Sequence, residues 1–226
     1  MVSVAACGED SDDNTDAKPK ELAEEANDIT REQRTVMVSG QGTDAQGTPQ
    51  QMTACMAISP DGNTSSLRAT MTVDGLDAEV VETGGKSYLK APAEFWARQA
   101  GRTDPASITA LASVVDGKFV VSESDGGQES VGFFDGNHDA LVKGPSTDFN
   151  GTKAIPLSWT DADGVRNTVF VAAKGEPAVV GQVEEKGQER IETTVTGAGG
   201  PCDTTAPPQE QVITQRQVQE SLRAHT

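Results

Sequence analysis

Thiols carry the clearest chemistry in this sequence. Cys7 follows Val4-Ala5-Ala6 and precedes the acidic run Gly8-Glu9-Asp10-Ser11-Asp12-Asp13, while Cys55 and Cys202 lie far apart in the chain. A thiol can be alkylated, joined in a disulfide or used as a metal ligand. Metal binding is disfavoured, because the only histidines are His138 and His225 and neither Cys-x-x-Cys nor His-Glu-x-x-His occurs. That leaves too few ligands for the usual tetrahedral zinc sets, and both histidines read as solvated residues. Asp135-Gly136-Asn137-His138-Asp139 has the opening ligand positions of a calcium loop. Ala140 stands where such a loop needs glycine and Ser146 where it needs a bidentate glutamate, so the segment reads as a turn. Asp161 and Asp163 are turn residues by the same logic. Gly40-Gln41-Gly42-Thr43-Asp44-Ala45 echoes a dinucleotide loop but has no following helix, and reads as a flexible loop. There is no Gly-x-Ser-x-Gly elbow, and no nucleophile, base and orienting group can be assembled. The expectation is a protein with no catalytic residue, no metal and no cofactor.

The context of Cys7 is more telling. Val4-Ala5-Ala6-Cys7 resembles a bacterial lipobox, in which the cysteine becomes the first mature residue and carries a diacylglycerol thioether. Only Met1 to Ala6 precede it, whereas a secretory signal usually has a basic region and about 7–15 apolar residues before cleavage. Residues 1–7 therefore read as the remnant of a lipoprotein signal. Lipidation of Cys7 implies an extracytoplasmic protein anchored to the outer face of the cytoplasmic membrane. In an exported chain the two remaining cysteines, Cys55 and Cys202, suggest a disulfide. Two unpaired buried thiols are the alternative.

Composition narrows the function classes. The chain has 226 residues and a net charge of -17, which repels nucleic acid and anionic headgroups. No apolar run approaches the roughly 20 residues needed to span a bilayer as a helix. Aromatic residues make up 4% of the chain, which disfavours sites that stack sugars or quaternary amines on exposed rings.

The elements that would position these residues follow from periodicity. Residues 8–20 lack large apolar side chains and read as a disordered acidic tether. Leu22, Ala26 and Ile29 fall on one helical face, with Pro19 in the first turn, predicting a helix over 19–33. Period two then takes over. Met52, Ala54, Met56 and Ile58 share one strand face. Leu67, Ala69, Met71 and Val73 share another, and further strands follow at Leu76 to Val80 and Ser87 to Lys90. Pro60-Asp61-Gly62-Asn63, Asp74-Gly75 and Gly84-Gly85 are the turns. Helices are predicted over Pro92 to Gln99 and from Pro105, capped by Asp104, to Val115. A short strand at Phe119 to Val121 follows, and Phe134, His138 and Leu141 hint at a further helix. Strands return at 154–160, 168–172, 178–184 and 190–196. After Pro207-Pro208 the tail is polar, with Val218 and Leu222 as the stripe of a loosely attached helix.

This order predicts an α+β fold: a curved antiparallel sheet, an unclosed half-barrel, with helices packed on its concave face. The domain occupies 21–200, and 201–226 form a Pro-rich segment and a polar tail or helix.

Several pieces recur in a recognisable order: the lipobox at Cys7; Tyr88-Leu89-Lys90 followed by Phe95-Trp96; Phe149-Asn150-Gly151-Thr152-Lys153-Ala154-Ile155-Pro156-Leu157; Val169-Phe170-Val171-Ala172; and Gly175-Glu176-Pro177. Over about residues 20–200 the chain resembles actinobacterial-type lipoproteins of the LolA-like and LppX/LprG-type lipid-carrier fold. Cys55, Cys202 and the tail after Pro208 depart from that pattern. The resemblance implies a non-enzymatic, membrane-anchored protein that holds a lipid or acyl chain in an apolar cavity. The candidate lining residues are Met52, Met56, Ile58, Leu67, Met71 and Val73 on the sheet, with Phe95, Trp96, Ile108, Leu111 and Val115 on the helices. Flexible methionines suit irregular apolar ligands, although they also fill gaps in ordinary cores. The alternative from another class is a non-carrier interaction or sensor module tethered to the envelope, touching another envelope protein through an exposed apolar patch.

Overall fold

The computed structural model describes residues 13–45, 47–59, 64–123, 133–134 and 140–223. Cys7, residues 8–12 of the expected tether, the Pro60-Asp61-Gly62-Asn63 turn, Asp135 to Asp139 and His225 lie outside the described residues. So does most of the helix hinted at by Phe134, His138 and Leu141.

Helix α1 (Pro19–Glu32) starts on a proline, whose missing N–H costs nothing in a first turn, and carries Glu21 near its positive end. β1 (Thr35–Thr43), β2 (Pro49–Ile58), β3 (Thr64–Val73), β4 (Leu76–Thr83) and β5 (Lys86–Lys90) form a meander. Asp74-Gly75 links β3 to β4 with both residues at positive φ, 54° and 72°. That two-residue geometry matches the twist of a hairpin. Helices α2 (Ala93–Gln99) and α3 (Pro105–Val115) lead to β6 (Phe119–Glu123). Asp104 caps α3 through its carboxylate, which accepts the Ser107 N–H at 2.9 Å. A second run follows: β7 (Val142–Lys143), β8 (Thr147–Phe149), β9 (Thr152–Thr160), β10 (Arg166–Ala172), β11 (Val179–Lys186) and β12 (Glu189–Ala198). The chain ends in β13 (Val212–Thr214) and α4 (Gln215–Arg223).

The strands form one continuous sheet in the order β13-β6-β5-β4-β3-β2-β1-β12-β11-β10-β9-β7, with β8 pairing β9 beside that path. Every pairing is antiparallel except that of β13 with β6. The sheet curves without closing, and the helices sit on its concave face: the expected α+β half-barrel. Two groups of helices cover opposite ends of that face. At one end α1 buries Leu22, Ala23 and Ala26 against Ile155, Leu157, Val169 and Val171. Burying a side chain the size of Leu22 contributes roughly 1.5–3 kcal/mol. At the other end α2, α3 and α4 bury Ala97, Leu111, Val115 and Val218 against Val120.

Three segments differ from the sequence reading. The stretch around Gly40 and Gly42 is no loop but the second half of β1, paired with β2 on one side and β12 on the other. Glycine is required at Gly42, where a Cβ would collide with the carbonyl oxygen of Arg190. The tether does not extend to residue 20, because Asn14 docks on the sheet. Its Nδ2 donates to the carbonyls of Ala172 at 2.9 Å and Gly175 at 3.0 Å, and its N–H to Ala173 at 3.0 Å. Lys143 Nζ reaches across to the carbonyls of Thr15 and Ala17. The tail is not loosely attached either. Residues 200–211 cross the outer face of the sheet as a strap. Cys202 is disulfide-bonded to Cys55 on β2, Thr204 shares a 2.6 Å hydrogen bond with Ser66, and Asp203 pairs with Arg68 at 3.5 Å. The strap delivers β13 to the free edge of β6 and α4 onto α3, where Val218 is buried and Ser221 Oγ donates to the Ala110 carbonyl at 3.2 Å.

Candidate functional site

Between the two helical groups the concave face is left uncovered, and it forms a recess of about 910 Å3. That lies within the usual range of small-molecule pockets. Its depth comes from side-chain size. Val38, Ala54, Ala69, Val80 and Leu89 make one row of directly paired residues across β1 to β5. The two alanines lower the middle of that row. Gly40, Met52, Met71 and Ala78 make the next row on one side. Met56, Leu67, Glu82 and Ser87 make the row on the other. The floor is therefore a shallow apolar trough with methionine and leucine walls.

Beyond Gly40 the floor continues onto Thr193 of β12, its pairing partner, and changes character. Gln182 on β11 pairs with Thr193, and Glu184 with Asn167 on β10, which in turn faces Trp159 on β9. Gln182 Nε2 donates to Glu184 Oε1 at 2.7 Å. Asn167 is only 8% exposed and spends its amide N–H on the Val165 carbonyl at 3.3 Å. Asp161 sits at this end too, its Oδ1 accepting the N–H groups of Asp163 and Val165 at 2.9 Å. The turn expected at Asp161 and Asp163 is thus present and borders the recess.

Of the residues expected to line a cavity, Met52, Met56, Leu67 and Met71 border the recess. Ile58 is buried beside Val36 and Val38 instead, and Val73 lies on the same strand face without reaching the recess. The helical candidates are placed elsewhere. Leu111 and Val115, with Trp96 and Ile108 packed against them, form the separate core under α4. Phe95 meets Trp96 edge-on at 5.5 Å. The far wall is supplied by Phe133 and Trp159 rather than by α2 and α3.

The sequence reading missed the polar half of the recess. Its strands alternate, but the outward positions hold apolar residues of their own. The β8–β9 hairpin folds Phe149 onto Phe170, rings stacked 4.1 Å apart, with Val183 and Ala154 in the same outer cluster. A Cβ on Gly181 would strike the Phe149 ring. Covering Val183 and Phe170 from outside turns Gln182, Glu184 and Asn167 inward.

The opposite face carries a second recess of about 800 Å3, over Ser39, Gln51, Thr53, Thr70 and Thr72. Two pairs of side chains bond each other there: Thr53 with Thr70 and Thr72 with Asp77, both at 2.7 Å. Among the described residues no three His, Cys, Asp or Glu side chains are placed to hold a metal ion. Nor is any helix among them long and apolar enough to cross a membrane.

The sequence matches no model of a known protein family and no curated protein. The structure is similar to that of LprF from Mycobacterium bovis, with a TM-score of 0.53 at 13% identity over 84% of this chain and 96% of that one. It is also similar to the lipoprotein LppX from Mycobacterium tuberculosis, with a TM-score of 0.52 at 14% identity over 84% of this chain and 100% of that one. The chain therefore shares the fold of these proteins across nearly their whole length.

Proposed function

We propose that this protein is an extracytoplasmic lipoprotein, anchored by a thioether lipid on Cys7, that binds or carries a lipid or another hydrophobic molecule by burial, without chemistry. The observation that carries the reading is the recess of about 910 Å3 with its trough of Val38, Ala54, Ala69 and Val80 between methionine and leucine walls. A sheet that kept both helical groups but filled this gap would have an ordinary core. Here small residues hold open an apolar surface that a ligand would cover. Likeness of fold to the lipoprotein LppX supports the placement outside the cytoplasm. A module acting through its surface would instead expose an apolar patch. Among the described residues, Val142 at 67% is the one large hydrophobic side chain that is strongly exposed.

The test is native mass spectrometry with lipid extraction on the full chain, produced behind an intact lipoprotein signal. The expected result is a co-purified acyl-chain species at a fixed ratio, together with a diacylglycerol mass on the peptide that begins at Cys7. A bare protein mass across repeated preparations would overturn carriage, and an unmodified Cys7 would overturn the anchor.

A further inference from the structure

The inward row of paired residues that floors the recess does not end at Leu89. Leu89 pairs with Val120 on β6, and Val120 with Ile213 on β13. At Val120 the row passes into one core with Leu111 of α3 and Val218 of α4. The trough is thus closed at this end partly by the C-terminal segment. That segment is small. β13 is three residues long and α4 nine, and Val218 is the only buried side chain of the two. A helix so short is marginal in water on its own. The strap brings both elements to their places, and the Cys55–Cys202 bond fixes the strap to β2. A tether of this kind raises the local concentration of a weakly held element.

The bond is placed to be exchanged. Both cysteines are only half-buried. Arg68 stands directly opposite Cys55 on β3, on the same outer face, where paired side chains lie about 4.5–5.5 Å apart at Cβ. Its guanidinium pairs with Asp203 of the strap at 3.5 Å and with Glu79 at 2.6 Å. When the strap leaves, Asp203 leaves with it. Cys55 then stays beside a guanidinium that has lost one of its two carboxylate partners. A cation beside a thiol lowers its pKa, and a thiolate of low pKa leaves faster.

We propose that the Cys55–Cys202 disulfide is a latch opened by a dithiol, and that opening it releases β13 and α4 and extends the apolar floor from Leu89 onto Val120. A thiolate of the reductant attacks Cys202 Sγ, the bond between the cysteines breaks, and Cys55 departs as the thiolate beside Arg68. The second thiol of the reductant then attacks the mixed disulfide and frees Cys202, which takes up the proton that thiol gives. The reductant ends as its own disulfide, having passed two electrons to the two cysteines. Only the use of the longer floor, as added surface for a ligand chain, rests on the carrier reading.

The experiment treats the full oxidised chain with dithiothreitol at neutral pH and follows alkylation of Cys55 and Cys202, hydrogen exchange and the binding of Nile red. Both cysteines should become alkylated. Exchange over 209–223 should quicken about tenfold or more, while β9 to β11 keep their protection. Nile red, an uncharged apolar dye, should bind about threefold or more tighter after reduction, because more apolar surface is open to it. Arg68→Gln should slow reduction about threefold or more, and Arg68→Lys should restore the rate. Faster reduction in Arg68→Gln would mean that Arg68 only holds the strap through Asp203, and overturns the exchange chemistry. Protection of 209–223 that survives reduction, or cysteines that resist the dithiol, overturns the latch. Exchange that quickens across the whole sheet overturns it too, and makes the bond a staple of the fold. A released tail without a gain in dye binding overturns the longer floor. No dye bound in either state overturns the carrier reading and leaves the latch standing.

Discussion

Cys55 and Cys202 are bonded across the outer face of the sheet, their Cα atoms 5.8 Å apart and 147 residues apart in sequence. The bond ties the strap to β2 just before it crosses Ser66 and Arg68. Closing so long a loop restricts the unfolded chain by up to about 5 kcal/mol in the chain-entropy account. The Cys55→Ser/Cys202→Ser variant should therefore melt well below the parent. Hydrogen exchange should rise first in β13 and α4, since the bond is what holds the strap that delivers them. Uniform exchange across the whole sheet would show that the strap is held by its other contacts.

Filling the trough separates binding from folding. Ala54 and Ala69 form the low point of the floor, so Ala54→Phe places a ring where a ligand chain would lie. Co-purified lipid should fall by tenfold or more. Ala54 is 8% exposed and packs in one cluster with Val36, Val38 and Ile58, so the melting temperature, measured alongside, tells loss of binding from loss of folding. A variant that still carries lipid in full would place the ligand elsewhere.

Two glycines on β1 offer a matched pair. In Gly42→Ala the new methyl group meets the backbone of β12, with Ile191 Cα at 2.9 Å, and neither strand can yield without loss of pairing. A cost of about 1–3 kcal/mol is expected, as for other overpacked sites. At Gly40 the nearest atoms are Thr193 Oγ1 at 3.4 Å and Met52 Cε at 3.6 Å, ordinary contacts. Gly40→Ala should be tolerated, and chemical denaturation of both variants checks the difference.

Asp104 gives the pH dependence a definite sign. Its carboxylate accepts the Ser107 N–H, which holds its pKa below the ordinary aspartate value. A carboxylate with a depressed folded-state pKa adds stability above the unfolded value near 3.9. That stability is lost as pH falls through the folded value. Asp104→Ala should thus melt lower than the parent at neutral pH, and the two should converge in acid. A gap that persists undiminished at acid pH would assign the effect to helix propensity rather than to the charged cap.

Much of the fold is legible in the sequence because local rules and burial agree there. Pro19 and the Leu22-Ala26-Ile29 stripe mark α1, and Asp104-Pro105 marks the start of α3. The period-two runs through Met52 to Ile58 and Leu67 to Val73 mark β2 and β3, so the sheet half of the trough could be named in advance. The rest depends on what covers each strand. Gly40 and Gly42 weaken the strand signal of β1, yet Gly42 is there because β12 approaches closely. Alternation on β11 cannot say which face is inward once Phe149 has built a small core on the outside, and so the polar half of the recess was hidden. The stripe of α3 shows only that it packs, not that its partner is α4 rather than a ligand.

The docking of Asn14 on the carbonyls of Ala172 and Gly175 has a consequence for motion. Asn14 lies seven positions after Cys7, and a fully extended stretch of that length spans at most about 25 Å. With the anchor proposed at Cys7, the leash is shorter than a compact domain of about 200 residues is wide. The sheet could not swing freely over the bilayer, and the β9–β11 end, which holds the polar half of the recess, would stay within reach of the headgroups.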